Sequence, residues 1–125
     1  MVVGELSGSE IVEYAKQQGT PVHVYQYDKL PKHLKQGNYV ILLGDRHGHW
    51  TALRVYKHTS AYYDSFGVNP PQEIINAIGK RILFYSDVED QKLSQNHCGD
   101  FCLSFLYKIN YEKSLRKAKG RRETT

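Results

Sequence analysis

Cysteine is scarce in this sequence, with only Cys98 and Cys102 among 125 residues. Two cysteines cannot build the disulfide framework of a small secreted domain. If both lie on one helix, their spacing of about one turn suits a disulfide poorly. We therefore expect two free thiols and a chain that works in a reducing compartment, the cytoplasm or the nucleus.

Long hydrophobic runs are also absent. No apolar stretch approaches the roughly 20 residues that a membrane-spanning helix needs. The first residues, Met1 to Leu6, lack the basic and apolar regions of a secretory signal, so we expect no secretion. The sequence has neither a glycine-rich phosphate loop nor a GxSxG elbow, which gives no support to a nucleotide-binding or serine-hydrolase interpretation.

Outside the C-terminal end, the chain has no excess of either charge. Six of the 17 Lys and Arg residues lie in residues 113–125, which hold one acid, Glu123. The other residues carry 11 bases and 12 acids, so the sequence pI of about 9.0 is a property of the tail. We interpret the tail mainly as a solvated end. Its alternative role is a polybasic arm that binds nucleic acid.

The hydrophobic pattern predicts one α+β domain over residues 1–112, with a basic tail over 113–125. A central, mostly antiparallel sheet of about five strands should carry packed helices. Ser9 is the expected N-cap of the first helix, and the third and fourth strands should form a hairpin. The predicted helices cover residues 9–18, 70–78 and 98–111, and the predicted strands cover residues 22–26, 39–43, 50–56, 61–63 and 81–85.

Cys98 opens an apolar run of helical length, directly after a polar stretch. At the start of a helix, free N–H groups and the helix dipole favour an anion, and therefore a nucleophilic thiolate. Gly99 leaves room for a substrate backbone to approach. A buried structural cysteine is the alternative, and it is the role we expect for Cys102.

His49 and Asp64 are the predicted partners of the thiol. His49 begins one strand and Asp64 ends the next, so an antiparallel pairing brings the two side chains together. The carboxylate can then accept a hydrogen bond from the imidazole Nδ1–H and fix the tautomer. His97, next to the thiol in sequence, is the competing base, and Asp64 has an alternative role as an ordinary turn residue.

Two further assignments stay open at this level. Gln91 and Gln95 both qualify as a neutral amide donor to an oxyanion. The N and S ligands that Zn²⁺ accepts are also present in the sequence, but without a CxxC pair, so a metal site is a minor alternative. Those candidate ligands are His47, His49, His97, Cys98 and Cys102.

The order His, Asp, Gln, Cys-Gly resembles the adenovirus protease (adenain) family, which is related to the SUMO/ubiquitin-like-specific proteases. The similarity is greatest to the adenain-like proteases of virophages, Polintons and adintoviruses. It spans about residues 24–109. The segments that carry it are Asp28–Pro31, Gly48-His49-Trp50, Tyr62–Gly67, Pro70-Pro71, Gln91 and Cys98–Cys102.

The resemblance implies a papain-like fold and a cysteine endopeptidase that cleaves near small residues. Cys98 would be the nucleophile, His49 the base and Asp64 its orienting carboxylate. Gln91, seven residues before Cys98, would be the oxyanion donor in preference to Gln95. Trp50 and Gly99 would form a narrow substrate slot.

Viral members of the family process capsid precursors, so we expect protein substrates and a monomer that acts in the virion and the host cell interior. We expect no required cofactor and no metal. Adenain is stimulated by a peptide and by DNA. We do not carry over the peptide, because this chain is much shorter than adenain, and the basic tail leaves stimulation by DNA open. The alternative functions are a deconjugating protease for a ubiquitin-like modifier and a non-catalytic nucleic-acid- or zinc-binding protein.

Overall fold

The computed structural model describes residues 6–44, 49–85 and 98–112. Three helices and five strands follow one another along these parts of the chain, and a short 3₁₀ turn, Tyr27–Lys29, follows β1. The helices are α1 (Gly8–Gln17), α2 (Gln72–Ile78) and α3 (Cys98–Glu112). The strands are β1 (His23–Gln26), β2 (Gly37–Leu43), β3 (His49–Val55), β4 (Thr59–Tyr63) and β5 (Ile82–Tyr85).

The five strands form one mixed sheet in the order β1-β2-β3-β4-β5. The two central pairings, β2 with β3 and β3 with β4, are antiparallel, whereas the two outer pairings are parallel. The predicted α+β class and five-strand sheet are confirmed. The sheet is less antiparallel than expected, because helix α2 lies between β4 and β5 and returns the chain in the same direction.

Each face of the sheet is covered by different helices. Helix α2 packs on one face through Ile74, Ala77 and Ile78, against a cluster that includes Leu53 and Tyr62. Helices α1 and α3 cover the other face, and their apolar residues join buried side chains from β2, β3 and β4. Alternate residues of β3 point to opposite faces, which places Leu53 in the first cluster and Ala52 in the second.

The start of α1 differs from the prediction. Ser7, not Ser9, is the N-cap: its hydroxyl accepts a hydrogen bond from the Glu10 N–H, and the Glu10 carboxylate accepts one from the Ser7 N–H. This reciprocal pair satisfies two N–H groups that Ser9, one residue inside the helix, cannot serve. Helix α2 ends as predicted at Gly79, whose φ of 69° favours glycine.

The predicted hairpin is present as β3 and β4, with Val55 opposite Ser60. The other elements begin or end within two residues of their predicted bounds, and α3 begins at Cys98 as expected. The predicted turn over 45–48, the predicted loop over 86–97 and the tail over 113–125 lie outside the described residues.

Candidate active site

The β3–β4 hairpin brings His49 and Asp64 together. The strand register pairs Ala52 with Tyr63, so Asp64, the residue after β4, continues the pairing beside Thr51. His49 is two residues from Thr51 and therefore on the same face of β3, within reach of the Asp64 side chain. His49 Nε2 is 2.7 Å from Asp64 Oδ1, although the residues are 15 positions apart. A hydrogen bond of this length to a carboxylate is strong and restrains the ring at Nε2.

Asp64 is held by the turn that follows it. Its Oδ1 also accepts a hydrogen bond from the Phe66 N–H, at 2.8 Å, and its carbonyl accepts one from the Gly67 N–H, also at 2.8 Å. Gly67 has a φ of 75°, which lets the chain leave the tight turn without strain. Asp64 is therefore also a turn residue, as in the alternative interpretation. The turn orients the same carboxylate that binds His49.

Cys98 lies on α3, which packs on the face of the sheet opposite to α2, and its side chain contacts the β3–β4 hairpin. It is the first residue of α3, and its sulfur accepts a hydrogen bond from the main-chain N–H of Trp50 at 3.2 Å, across 48 residues of sequence. Trp50 is the neighbour of His49, so the sulfur lies at the strand entry that carries the imidazole. The first N–H groups of a helix have no acceptor within the helix, which leaves the Cys98 N–H available to an anion.

The environment of His49 favours its protonated form. Burial lowers the pKa of His49, but the hydrogen bond to Asp64 and the negative charges of Asp64 and Cys98 outweigh burial and raise the pKa from 6.5 to about 9. The expected Nδ1 contact is wrong: Asp64 bonds Nε2 instead, which leaves Nδ1 as the nitrogen for the sulfur. Nδ1 is buried and has no hydrogen-bond partner of good geometry in the described part of the chain. Cys98 therefore acts on the ring as a nearby negative charge.

The two cysteines have different surroundings. Cys98 retains 7% of its surface exposed, whereas Cys102, one turn further on α3, has none. Burial, and then the negative charges of Cys98 and Asp64, raise the pKa of Cys102 well above its usual value. Cys102 packs in the cluster between α3 and the sheet, the place expected of a structural cysteine.

Trp50 and Gly99 contact the N-terminal segment. The Trp50 indole N–H donates a hydrogen bond to the carbonyl of Leu6 at 2.9 Å. A Cβ at Gly99 would lie 3.1 Å from the nearest carbon of the Leu6 side chain. A larger residue at position 99 would therefore displace the Leu6 side chain by a few tenths of an ångström, so the glycine lets Leu6 pack closely beside the first turn of α3.

Two residues at the site were not predicted. Phe66 stacks on the ring of His49, with centroids 4.4 Å apart and planes 26° apart. The turn sequence after Asp64 was the available signal, because an Asp side chain often bonds the N–H two residues on and so fixes the position of that residue. Leu6 gave no local signal, since its partner Gly99 is distant in sequence.

Other predicted site residues fall outside the described ranges. They are Gln91, Gln95, His47 and His97. Among the residues that the structure describes, no group of three or more His, Cys, Asp or Glu side chains is arranged to hold a metal ion. In the same residues, no helix is long and apolar enough to cross a membrane.

Comparisons with known proteins give a structural match only. No protein-family model matches the sequence, and no curated protein matches it. Among solved structures, the chain is similar to the "ASFV pS273R protease", with a TM-score of 0.62 and 13% sequence identity. The match covers 97% of this chain and 63% of that protein, so the chain spans less than two thirds of its length. The similarity establishes that the two chains share a fold.

Proposed function

We propose that this protein is a cysteine endopeptidase of the adenain type. The observation that carries the proposal is the convergence at the start of β3. The His49 ring bonds Asp64 there, at 2.7 Å, and the N–H of the next residue, Trp50, bonds the Cys98 sulfur at 3.2 Å. A thiol, an imidazole and a carboxylate in this arrangement can perform nucleophilic acyl transfer. The shared fold with a viral protease supports the same conclusion.

In the proposed reaction, the Cys98 thiolate pairs with the His49 imidazolium and attacks the carbonyl carbon of the scissile peptide bond. His49 then gives its proton to the leaving amine as the C–N bond breaks, which leaves an acyl group on the sulfur. Next, His49 takes a proton from water, and the hydroxyl attacks the acyl carbon to release the second product. Asp64 keeps the ring oriented throughout both steps.

The oxyanion formed in each step needs nearby donors. The Cys98 N–H, at the first position of α3, is one proposed donor. The side-chain amide of Gln91 is the second, on the strength of the spacing that resembles the adenain family. The Trp50 N–H bonds the sulfur in the resting protein and stabilises its negative charge.

We propose viral capsid or other structural precursor proteins as the substrates, cut beside small residues. Trp50 and Gly99 line the proposed slot, and Leu6, packed against Gly99, narrows it. The enzyme would act as a monomer in the virion and the host cell interior, and without a required cofactor.

The test is incubation of the purified protein with the structural precursors encoded beside it, with mass spectrometry of the products. Wild type and Cys102→Ala should cut the precursors at the same positions, and Cys98→Ala should leave them intact. Cleavage by Cys98→Ala would refute the proposal, because that variant lacks the proposed nucleophile.

Two other outcomes would identify the alternative functions. Reaction of Cys98 with a C-terminally activated ubiquitin-like modifier, without precursor cleavage, would indicate a deconjugating protease. Stoichiometric zinc in the purified protein, or steeply salt-dependent DNA affinity that survives removal of residues 113–125, would indicate a non-catalytic binding protein.

A further inference from the structure

The proposed reaction needs the His49 imidazole to keep one orientation, but hydrogen bonding restrains only one of its two ring nitrogens. Nε2 of His49 bonds Asp64, and Nδ1 has no hydrogen-bond partner of good geometry among the described residues. A ring held at one nitrogen can still tilt about its side-chain bonds. A tilt of the ring would move Nδ1 relative to the sulfur of Cys98, which reaches the site from the other face of the sheet.

Phe66 supplies a second restraint on the same ring. Its aromatic ring covers one face of the imidazole, with the centroids 4.4 Å apart and the planes 26° apart. This arrangement lies within the range of favourable aromatic stacking. It presents the electron-rich face of the phenyl ring to a group that is positively charged when protonated, which adds a cation–π attraction.

Phe66 is itself held in place by the turn. Its main-chain N–H donates to Asp64 Oδ1, the oxygen that also bonds His49 Nε2. The next residue, Gly67, closes the turn with a hydrogen bond to the Asp64 carbonyl. One residue therefore contacts the carboxylate through its main chain and the imidazole through its side chain.

We propose that Phe66 is a positioning residue that holds the His49 ring in the plane required for proton transfer with Cys98. This inference rests on the proposed function and goes one step beyond it. The face of His49 that Phe66 covers is also shielded from water, which strengthens the electrostatic interactions of the ring with Asp64 and Cys98.

Substitution of the side chain tests the proposal, because every variant keeps the N–H that bonds Asp64. Phe66→Leu preserves an apolar side chain but removes the flat ring, and Phe66→Tyr restores the ring. We expect Phe66→Leu to lower kcat about tenfold with little change in KM, since misorientation affects the transition state more than binding. Phe66→Tyr should return kcat to within about twofold of wild type.

Phe105→Leu is the matched control. Phe105 stacks on Tyr63, with ring centroids 4.9 Å apart and planes 9° apart, in the packing between α3 and the sheet. The substitution makes the same chemical change at another stacked pair. We expect it to lower thermal stability more than Phe66→Leu does, because Phe66 lies at a turn, while its kcat stays closer to that of wild type. If Phe66→Leu lowers kcat no more than Phe105→Leu does, the proposal is wrong.

A second measurement does not depend on protease activity. The titration of the His49 ring can be followed by NMR in variants that keep Asp64 and Cys98. Because leucine keeps the ring covered from water, loss of the cation–π attraction should move the titration to lower pH in Phe66→Leu, and Phe66→Tyr should restore it. An unchanged titration in Phe66→Leu would contradict the proposal even if the protein cuts no substrate. A protein that cuts nothing, but whose titration moves as expected, would refute the proposed function and leave the role of Phe66 in place.

Discussion

The two halves of the candidate site are built by different means. His49 begins β3 and Asp64 directly follows β4 in the same hairpin, 15 residues apart. A four-residue turn, closed by Gly67, holds Asp64 in place. Cys98 lies on a helix that packs on the other face of the sheet, and its sulfur meets the hairpin across 48 residues of sequence. The first half depends on strand register and the second on tertiary packing, so the two should respond differently to mutation.

The largest effect is expected from Cys98→Ala, which removes the nucleophile. Cleavage of a precursor should fall about 10⁶-fold, measured by single-turnover kinetics with a peptide that spans a cleavage site. Cys102→Ala should cleave at close to the wild-type rate and lose about 1 kcal/mol of stability, since it removes a buried side chain and no reacting atom. Equal losses in the two variants would contradict the separate roles of the two sulfurs.

Asp64→Asn should follow, with a loss of about 10²- to 10⁴-fold in kcat. The amide preserves the shape of the carboxylate but favours the wrong tautomer of His49 and removes the negative charge beside it. Asp28→Asn is the control, because Asp28 is an exposed acid outside the hairpin. A kcat for Asp64→Asn within twofold of wild type would remove the basis for the His49–Asp64 pair as a catalytic unit.

Two core substitutions compare the halves directly. Leu106 of α3 and Ile74 of α2 are both fully buried, on opposite faces of the sheet. Leu106→Ala and Ile74→Ala should each cost about 2–5 kcal/mol in the free energy of unfolding, measured by chemical denaturation. At temperatures well below the unfolding transition, Leu106→Ala should lower kcat more than Ile74→Ala does, because it loosens the helix that carries Cys98. If Ile74→Ala lowers kcat more, the hairpin, on which α2 packs, is the less rigid half of the site.

Proteolysis should lose activity as the pH rises through about 9, the pKa of His49 in the folded protein. The raised pKa means that the imidazolium is fully present at neutral pH and is lost above pH 9, together with the proton that His49 gives to the leaving amine. The pH profile of kcat/KM, which reports the ionisations of the free enzyme, measures this alkaline limb. His58→Gln, which changes the exposed histidine in the turn of the hairpin, should leave the limb unchanged.

Trp50→Phe should have the smallest effect. It removes the indole N–H that bonds the Leu6 carbonyl and keeps both the aromatic ring and the main-chain N–H that bonds Cys98. We expect a loss of about 1 kcal/mol in stability, measured by chemical denaturation, and a nearly unchanged kcat. A large loss of kcat at unchanged stability would assign the indole N–H a part in the reaction itself.

The hairpin half of the site was largely predictable from the sequence, because local rules govern it. Alternating β-rich residues predicted β3 and β4, and their antiparallel pairing brought His49 next to Asp64. The start of α3 at Cys98 was also predictable, since an apolar run of helical period begins there. The α1 cap was misplaced, although Ser7 and Glu10 have the spacing of a capping box.

Contacts made by tertiary packing were not predictable in the same way. Leu6, the first described residue, packs beside Gly99 at the start of α3, and no local sequence pattern encodes this contact. The parallel pairing of β4 with β5 does have a signal in the sequence, because a helix between two adjacent strands usually returns the chain in the same direction. The stacking of Phe66 on His49 depends on the detailed turn geometry at Asp64.

The central claim, that the sulfur and the imidazole act as one unit, is tested most directly by alkylation of Cys98 with iodoacetamide at pH 7, read by mass spectrometry. Cys102, fully buried and with a raised pKa, is an internal reference that should stay unmodified. We predict rapid labelling of Cys98 in wild type and labelling about tenfold or more slower in His49→Ala, because loss of the imidazolium disfavours the thiolate. Equal Cys98 labelling rates in the two proteins would contradict the account.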